Sequence, residues 1–129
     1  MPSDPDLLVE LGRVAWAAAR LHARVRDAIN NHHGPPSDEP FRTTLGQAIA
    51  ELESLAKREA RPDQLTWVAT SARPAAKRRN AVIHAVTFTA DDGKQAIGTV
   101  DHSAPRRFLK RDLRDVTRDL IAAHMTLPL

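Results

Sequence analysis

With 129 residues, 42% of them hydrophobic and 27% charged, the chain has the composition of a single globular domain covering residues 1–129. The absence of cysteine excludes disulfides, thiolate zinc sites and cysteine nucleophiles and fits a cytoplasmic location. Neither a signal peptide nor an apolar run near the ~20 residues of a membrane span is recognisable. The net charge of +3 is uneven, because cations outnumber carboxylates within 57–84 and within 102–129. These segments are either solvated surface or surface that faces a polyanion.

The first half of the chain has the spacing of amphipathic helices. After a helix start at Ser3 or Asp4, apolar residues recur at intervals of four and three, which predicts one long helix: Leu7, Leu11, Val14, Ala18, Leu21, Val25 and Ala28. This seam is also long enough to serve as a dimerisation surface. The polar stretch Asn30–Pro36 ends the helix, and a capping box at Thr44–Gln47 predicts a second one over 45–56.

The second half of the chain has the spacing of further helices and, in one segment, the alternation of β-strands. Pro62 starts a short helical stretch that Arg73-Pro74 should interrupt, and a further helix is predicted over 75–85. Residues 86–100 then alternate around Asp92-Gly93, which is typical of a β-hairpin. Helical spacing returns from Leu109 to Leu120. The predicted fold class is therefore mainly α, a bundle of four to five helices with one β-hairpin before the last helix.

The segment 77–84, Lys-Arg-Arg-Asn-Ala-Val-Ile-His, combines cations, an amide and an imidazole. Arg79 stays charged at any working pH, and His84 can take or give a proton near neutrality. Asn80 and His84 share a helix face, because they are four residues apart. Such a set can cleave a phosphodiester without a metal. Arg79 would bind the phosphate oxygens, His84 would move the proton, and Asn80 would orient His84 or donate to the phosphate.

The same residues also allow purely structural roles. Arg79 could pair with a carboxylate, Asn80 could cap a helix end, and His84 could be a hydrogen-bonded core histidine. Spacing alone does not distinguish a catalytic from a structural role, since an Arg and a His at similar separation recur within 26–32 and 118–124. The motif at 79–84 differs in its amide next to the Arg and in the positive charge around it.

Arg79-Asn80-x-x-x-His84 in a small helical protein resembles the HEPN superfamily, whose hallmark is an Arg and a His four to six residues apart, often with Asn after the Arg. The resemblance covers the motif and the helical layout over about residues 5–126, and the hairpin after the His is similar to that of several bacterial HEPN-like proteins. It implies a homodimer in which two motifs converge on one groove. It further implies a metal-independent endoribonuclease that acts as a toxin or in defence, with Arg79, Asn80 and His84 as catalytic residues and no cofactor. Toxin members often have an antitoxin partner, such as a small nucleotidyltransferase.

We also expect cations near the motif and on the last helix to bind the RNA backbone: Lys77, Arg78, Arg106, Arg107 and Lys110. Trp16 and Trp67 are interpreted as core or interface anchors. Two alternatives to the ribonuclease remain open. One is a catalytically silent HEPN-like module that binds a nucleotide, RNA or a partner protein. The other is a generic helical domain that dimerises through the seam of its first helix.

Overall fold

The computed structural model describes the backbone of residues 5–33, 43–91 and 103–129 and the side chains of 5–33, 43–85 and 110–129. These ranges contain five α-helices and a π-helical segment, Val68–Ala72: α1 (Pro5–His33), α2 (Leu45–Arg58), α3 (Pro62–Trp67), α4 (Arg73–Asp91) and α5 (Ser103–Thr126). The predicted mainly helical fold is confirmed. Among the helices of the described ranges, none combines the length and the apolar composition that crossing a membrane requires.

The apolar seam of α1 forms the centre of the chain's own core. Six of its seven residues are buried, Leu21 and Val25 completely, and Leu11 packs partly buried against them. The seam lies against α2 and α5. Burying each such leucine stabilises the fold by about 2 kcal/mol, which explains why the seam turns inward. The interpretation of this seam as a dimerisation surface is therefore wrong, because α2 and α5 already cover it.

The predicted capping box begins α2. The Thr44 hydroxyl accepts a hydrogen bond from the Gln47 amide at 3.1 Å, and the Gln47 side chain accepts one from the Thr44 amide at 2.9 Å. At the other end Ala60 adopts a left-handed conformation, with φ of 55°. The Arg61 amide then bonds the Ala56 carbonyl at 2.8 Å, which closes the last turn as a Schellman motif.

The predicted interruption at Arg73-Pro74 is wrong, because the chain is helical without a break from Pro62 to Asp91. In a regular α-helix the Pro74 ring would collide with the carbonyl four residues earlier. The π-helical segment just before it widens the helix, and the Arg73 amide bonds the Val68 carbonyl, five residues back. This local widening lets the helix continue past Pro74 without a break.

The predicted β-hairpin is not seen in the described residues. Residues 86–90, expected to form its first strand, are the last turns of α4, which ends at Asp91. Its turn and second strand, 92–100, lie outside the described residues. Compared with alanine, each β-branched or aromatic residue makes a helix less stable by at most ~0.7 kcal/mol. Extending a helix that is already formed costs little, because the unfavourable step is its nucleation. The local alternation at 86–90 therefore does not override the helix.

The ion pairs between helices show the relative directions in which the helices run. Lys110 lies 3.8 Å from Asp6, and Arg114 lies 2.9 Å from Glu10. Both pairs are 104 residues apart, so α1 and α5 run parallel in one fixed register. Arg78 on α4 binds two carboxylates of α5, and residues earlier in α4 lie near residues later in α5. α4 is therefore antiparallel to α5. α4 also packs against α2, which packs against α1. The α1/α5 and α2/α4 pairs thus lie on opposite sides of the bundle.

Gln64 joins three parts of the chain at one end of the bundle. Its side chain is 1% exposed. The amide nitrogen donates to the Pro128 carbonyl at 2.9 Å, and the amide oxygen accepts from His32 Nε2 at 2.7 Å. Trp67, one turn later, is also buried and donates its indole N–H to the Ala123 carbonyl at 3.0 Å. These bonds fix the start of the helix that leads into α4.

Candidate functional site

An open groove of about 370 Å³ lies between α2 and α4. Its apolar part is formed by buried side chains such as Ile49 and Ala76, and its polar part by Arg73, Lys77 and Asn80. α2 and α4 are antiparallel, since Glu53 pairs with Arg73 at one end. The motif-bearing part of α4 therefore passes the beginning of α2.

Asn80 holds the guanidinium of Arg79. The Asn80 Oδ1 atom accepts a hydrogen bond from Arg79 Nη1 at 2.8 Å. Arg79 is half-buried, and its Nε–H is buried without a hydrogen-bond partner among the described residues. The amide was expected to orient His84 or to bind phosphate, but in the structure its oxygen orients the neighbouring arginine. A guanidinium fixed in this way keeps other N–H groups as donors to an anion.

His84 is exposed, one helical turn after Asn80 and on the same side of α4. Asn80 lines the groove together with Gly46 from the first turn of α2, and His84 follows it along α4. An imidazole in this position is accessible to a ligand in solution. The interpretation of His84 as a core histidine is therefore wrong.

The structural roles considered for Asn80 and Arg79 are also not found in the described ranges. Asn80 lies inside α4 and does not cap a helix end. Arg79 makes no ion pair with any carboxylate of the described part of the chain, and its partner is the neutral amide of Asn80. Neither residue therefore has one of the structural roles considered from the sequence.

The two cations that precede the motif have different surroundings. Arg78 donates to Asp119 at 2.9 Å and to Asp115 at 3.3 Å, so its guanidinium links α4 to α5. Lys77 is exposed at the groove and forms no ion pair within the described ranges. Of these two predicted RNA contacts, Lys77 is the one placed to meet a phosphate.

Of the predicted RNA contacts on α5, only Lys110 has a described side chain, and it is not among the residues that line the groove. Lys110 lies 3.8 Å from Asp6 and borders an open basic surface of about 450 Å³ together with Arg111, Arg114 and Arg118. Arg106 and Arg107 belong to the first turns of α5, but their side chains lie outside the described residues. The structure therefore does not bring Lys110 together with Asn80 or Lys77.

One element of the groove was not apparent from the sequence. Glu53 accepts two hydrogen bonds from Arg73, at 2.8 and 3.3 Å, and these close one end of the groove. The hydrogen bond from Arg73 lowers the pKa of Glu53 from its ordinary value, and the charges of Arg73 and Lys57 lower it further. The two residues are 20 positions apart. Only the packing of α2 on α4 brings them together, and no local pattern signals it.

Of the two other Arg and His combinations, the first is held by structural partners, whereas in the second the Nδ1 atom of His124 is buried without a hydrogen-bond partner among the described residues. His32 bonds the buried Gln64, and Arg26 lies 3.8 Å from Glu51. Arg118 lies 3.4 Å from Asp115 on its own helix. Among the side chains that the structure describes, no group of three or more His, Asp or Glu could hold a metal ion. The segment 79–84 remains the part of α4 where a cation, an amide and an exposed imidazole lie within about one helical turn.

Comparison with known proteins does not add a relative. The chain matches no family model, no curated protein and no solved structure. The resemblance to the HEPN superfamily therefore rests on Arg79, Asn80 and His84 and on the helical layout. Any function has to follow from these side chains and their surroundings.

Proposed function

We propose that this protein is a metal-independent endoribonuclease of HEPN type that acts in the cytoplasm as a toxin or defence component. One observation supports this most strongly. The Arg79 guanidinium is held by Asn80 within a helical turn of the exposed His84, beside a groove that Lys77 borders. A cation for phosphate and a group for proton transfer that lie about one helical turn apart support the proposal.

The reaction uses the RNA's own 2′-OH as the nucleophile. The 2′-oxygen attacks the adjacent phosphorus, the proton leaves to a base, and a pentavalent phosphorane forms. The P–O5′ bond then breaks, and the O5′ leaving group takes up a proton. The products are a 2′,3′-cyclic phosphate and a 5′-OH. Arg79 stabilises the non-bridging oxygens as their charge develops, and His84 serves as the base or the acid.

One histidine cannot be both base and acid in a single step, which favours a homodimer. Two copies that meet near their motifs would supply two His84 side chains and two Arg79 side chains to one groove. The contact would have to involve the motif-bearing side of α4, because the seam of α1 is buried within the chain. Lys77 would bind a flanking phosphate, and so would the α5 cations Arg106, Arg107 and Lys110. Arg78 would contribute less, because two carboxylates already bind it.

The second candidate is a catalytically silent module that binds a nucleotide, RNA or a partner protein. The partial burial of Arg79, whose Nε–H has no hydrogen-bond partner among the described residues, favours this alternative, since it restricts how far the guanidinium can follow a reacting phosphate. A toxin would in addition be expected to have an antitoxin partner, such as a small nucleotidyltransferase. The two candidates differ in one observable, the cleavage of RNA.

The test is expression in a bacterial host. We compare the parent chain with an Arg79→Ala/His84→Ala double variant and follow growth and the integrity of cellular RNA. A matched control, Arg58→Ala/His33→Ala, removes the same two residue types from exposed positions outside the groove. The ribonuclease predicts growth arrest and RNA degradation with the parent and the control, but not with the motif variant. Equal degradation by all three proteins would contradict the catalytic assignment, and intact RNA with the parent would favour the silent module.

A further inference from the structure

The outward sides of α1 and α5 form a second surface, here called the α1/α5 face. It consists of two parallel rows of side chains that the helix register places opposite each other: Arg13, Trp16 and Arg20 on α1, and Arg118, Ile121 and Met125 on α5. A cavity of about 270 Å³ lies between the rows and is lined by Trp16, Ala17, Arg20, Ile121, His124 and Met125. None of these residues belongs to the motif or to the α2/α4 groove.

Large apolar side chains are exposed on the α1/α5 face. Trp16 is 55% exposed and Met125 76% exposed, whereas the other tryptophan, Trp67, is 4% exposed and hydrogen-bonded in the core. The Arg20 guanidinium lies 5.1 Å from the centre of the Trp16 ring, a cation–π contact that holds the ring at the surface. Adjacent exposed apolar groups rimmed by charge typically mark a binding surface.

We propose that the α1/α5 face binds an amphipathic helix of another protein, with apolar anchors in the cavity and acidic residues on either side. A groove between two parallel helices suits a third helix, which binds through side chains spaced three and four residues apart. The cavity has that spacing, since Trp16 and Arg20 on α1 and Ile121 and Met125 on α5 are each four residues apart. This proposal is independent of the ribonuclease activity.

Charge identifies the partner as acidic. Arg13, Arg20 and Arg118 surround the apolar centre with exposed guanidinium groups. The carboxylates next to Arg13 and Arg118 are those of Glu10 and Asp115. Glu10 also pairs with Arg114 and Asp115 with Arg78, so the rim keeps an excess of positive charge. Acidic side chains on the incoming helix would meet these cations and set its orientation.

The same features argue against two other occupants. A second copy of this chain would bring the same arginines face to face, and like charges at short distance oppose association. A nucleic acid would satisfy the arginines but would leave the exposed Met125 side chain without an apolar partner. The α1/α5 face also lies on the opposite side of the bundle from the α2/α4 groove, so an occupant there leaves the motif open.

The test uses two labelled synthetic peptides of about 20 residues, long enough to form a helix. Both carry leucine at helical spacing, and their remaining positions are glutamate in one peptide and lysine in the other. Fluorescence anisotropy should show that the acidic peptide binds at least ~10-fold more tightly than the basic one. Trp16→Ala and Arg20→Glu should each weaken its binding by ~10-fold or more. The control Arg58→Glu makes the same charge change on α2 and should leave the affinity unchanged.

Because Trp16 and Arg20 are exposed, both variants should fold, and their circular dichroism should match that of the parent. Equal binding of the two peptides, no measurable binding of either, or acidic-peptide binding that survives Trp16→Ala would overturn the proposal. Sedimentation showing a dimer that Trp16→Ala dissociates would assign the face to a second copy instead. Loss of binding to an RNA oligonucleotide in Trp16→Ala, without binding of either peptide, would assign it to nucleic acid.

Discussion

Replacing Gln64 with leucine should destabilise the protein by about 2 kcal/mol. The side chain is buried and makes two hydrogen bonds, to His32 at 2.7 Å and to Pro128 at 2.9 Å. Each bond contributes ~1 kcal/mol net. Both partners are half-buried, so water can reach the freed groups and the desolvation penalty stays small. Leucine has a similar volume, so no large cavity adds to the cost.

Thermal unfolding followed by circular dichroism measures this effect. For a chain of 129 residues, 2 kcal/mol corresponds to a fall in Tm of ~7 °C. The control Thr66→Leu makes a polar-to-leucine change at an exposed position of the same helix and should shift Tm by less than ~2 °C. If Gln64→Leu shifts Tm no more than Thr66→Leu, the bonds of Gln64 do not hold this end of the bundle together.

Three further predictions concern other parts of the fold. Ala60→Gly should raise the free energy of unfolding by ~1 kcal/mol in a denaturant titration, because Ala60 has a φ of 55° that glycine adopts without strain; a loss of stability would contradict this. Burial and a neighbouring arginine lower the pKa of His22 below 6.5. The unfolded chain therefore binds the proton first, stability falls as the pH drops through ~6.5, and His22→Gln should make this decline shallower. Arg78→Gln should cost about 0.5 kcal/mol, since its ion pairs are exposed, and should weaken RNA binding less than Lys77→Gln.

The helices of the first half could be predicted because their signals are local. Four-and-three spacing identified α1, and the capping box at Thr44 identified the start of α2. The interruption predicted at Pro74 is wrong, because a π-helical segment compensates here for a proline that would normally end a helix. The strand predicted for residues 86–90 is not formed. Their alternation is typical of a strand, but they continue a helix that is already formed.

The residue types of the candidate site could be predicted, but not the bonds they make. Asn80 and His84 are four residues apart, so their common helix face follows from spacing alone. The contact of Arg79 with Asn80 does not follow from spacing. The partners of Arg78 lie 37 and 41 residues away on α5. Such pairs depend on how the helices pack. The same holds for the seam of α1, whose spacing fits an inward core as well as a dimer, and only packing decides between them.

Cleavage of an RNA oligonucleotide by the purified protein in excess EDTA tests the proposed ribonuclease most directly. The parent should cut the RNA and leave a 2′,3′-cyclic phosphate and a 5′-OH, because the 2′-OH is the nucleophile. His84→Ala and Arg79→Ala should each lower the rate by ~10²-fold or more, through loss of proton transfer and of charge stabilisation. Asn80→Ala should cost less, since water can replace part of an orienting contact. If the parent leaves the RNA intact, or if both His84→Ala and Arg79→Ala cut like the parent, the proposed ribonuclease site is wrong.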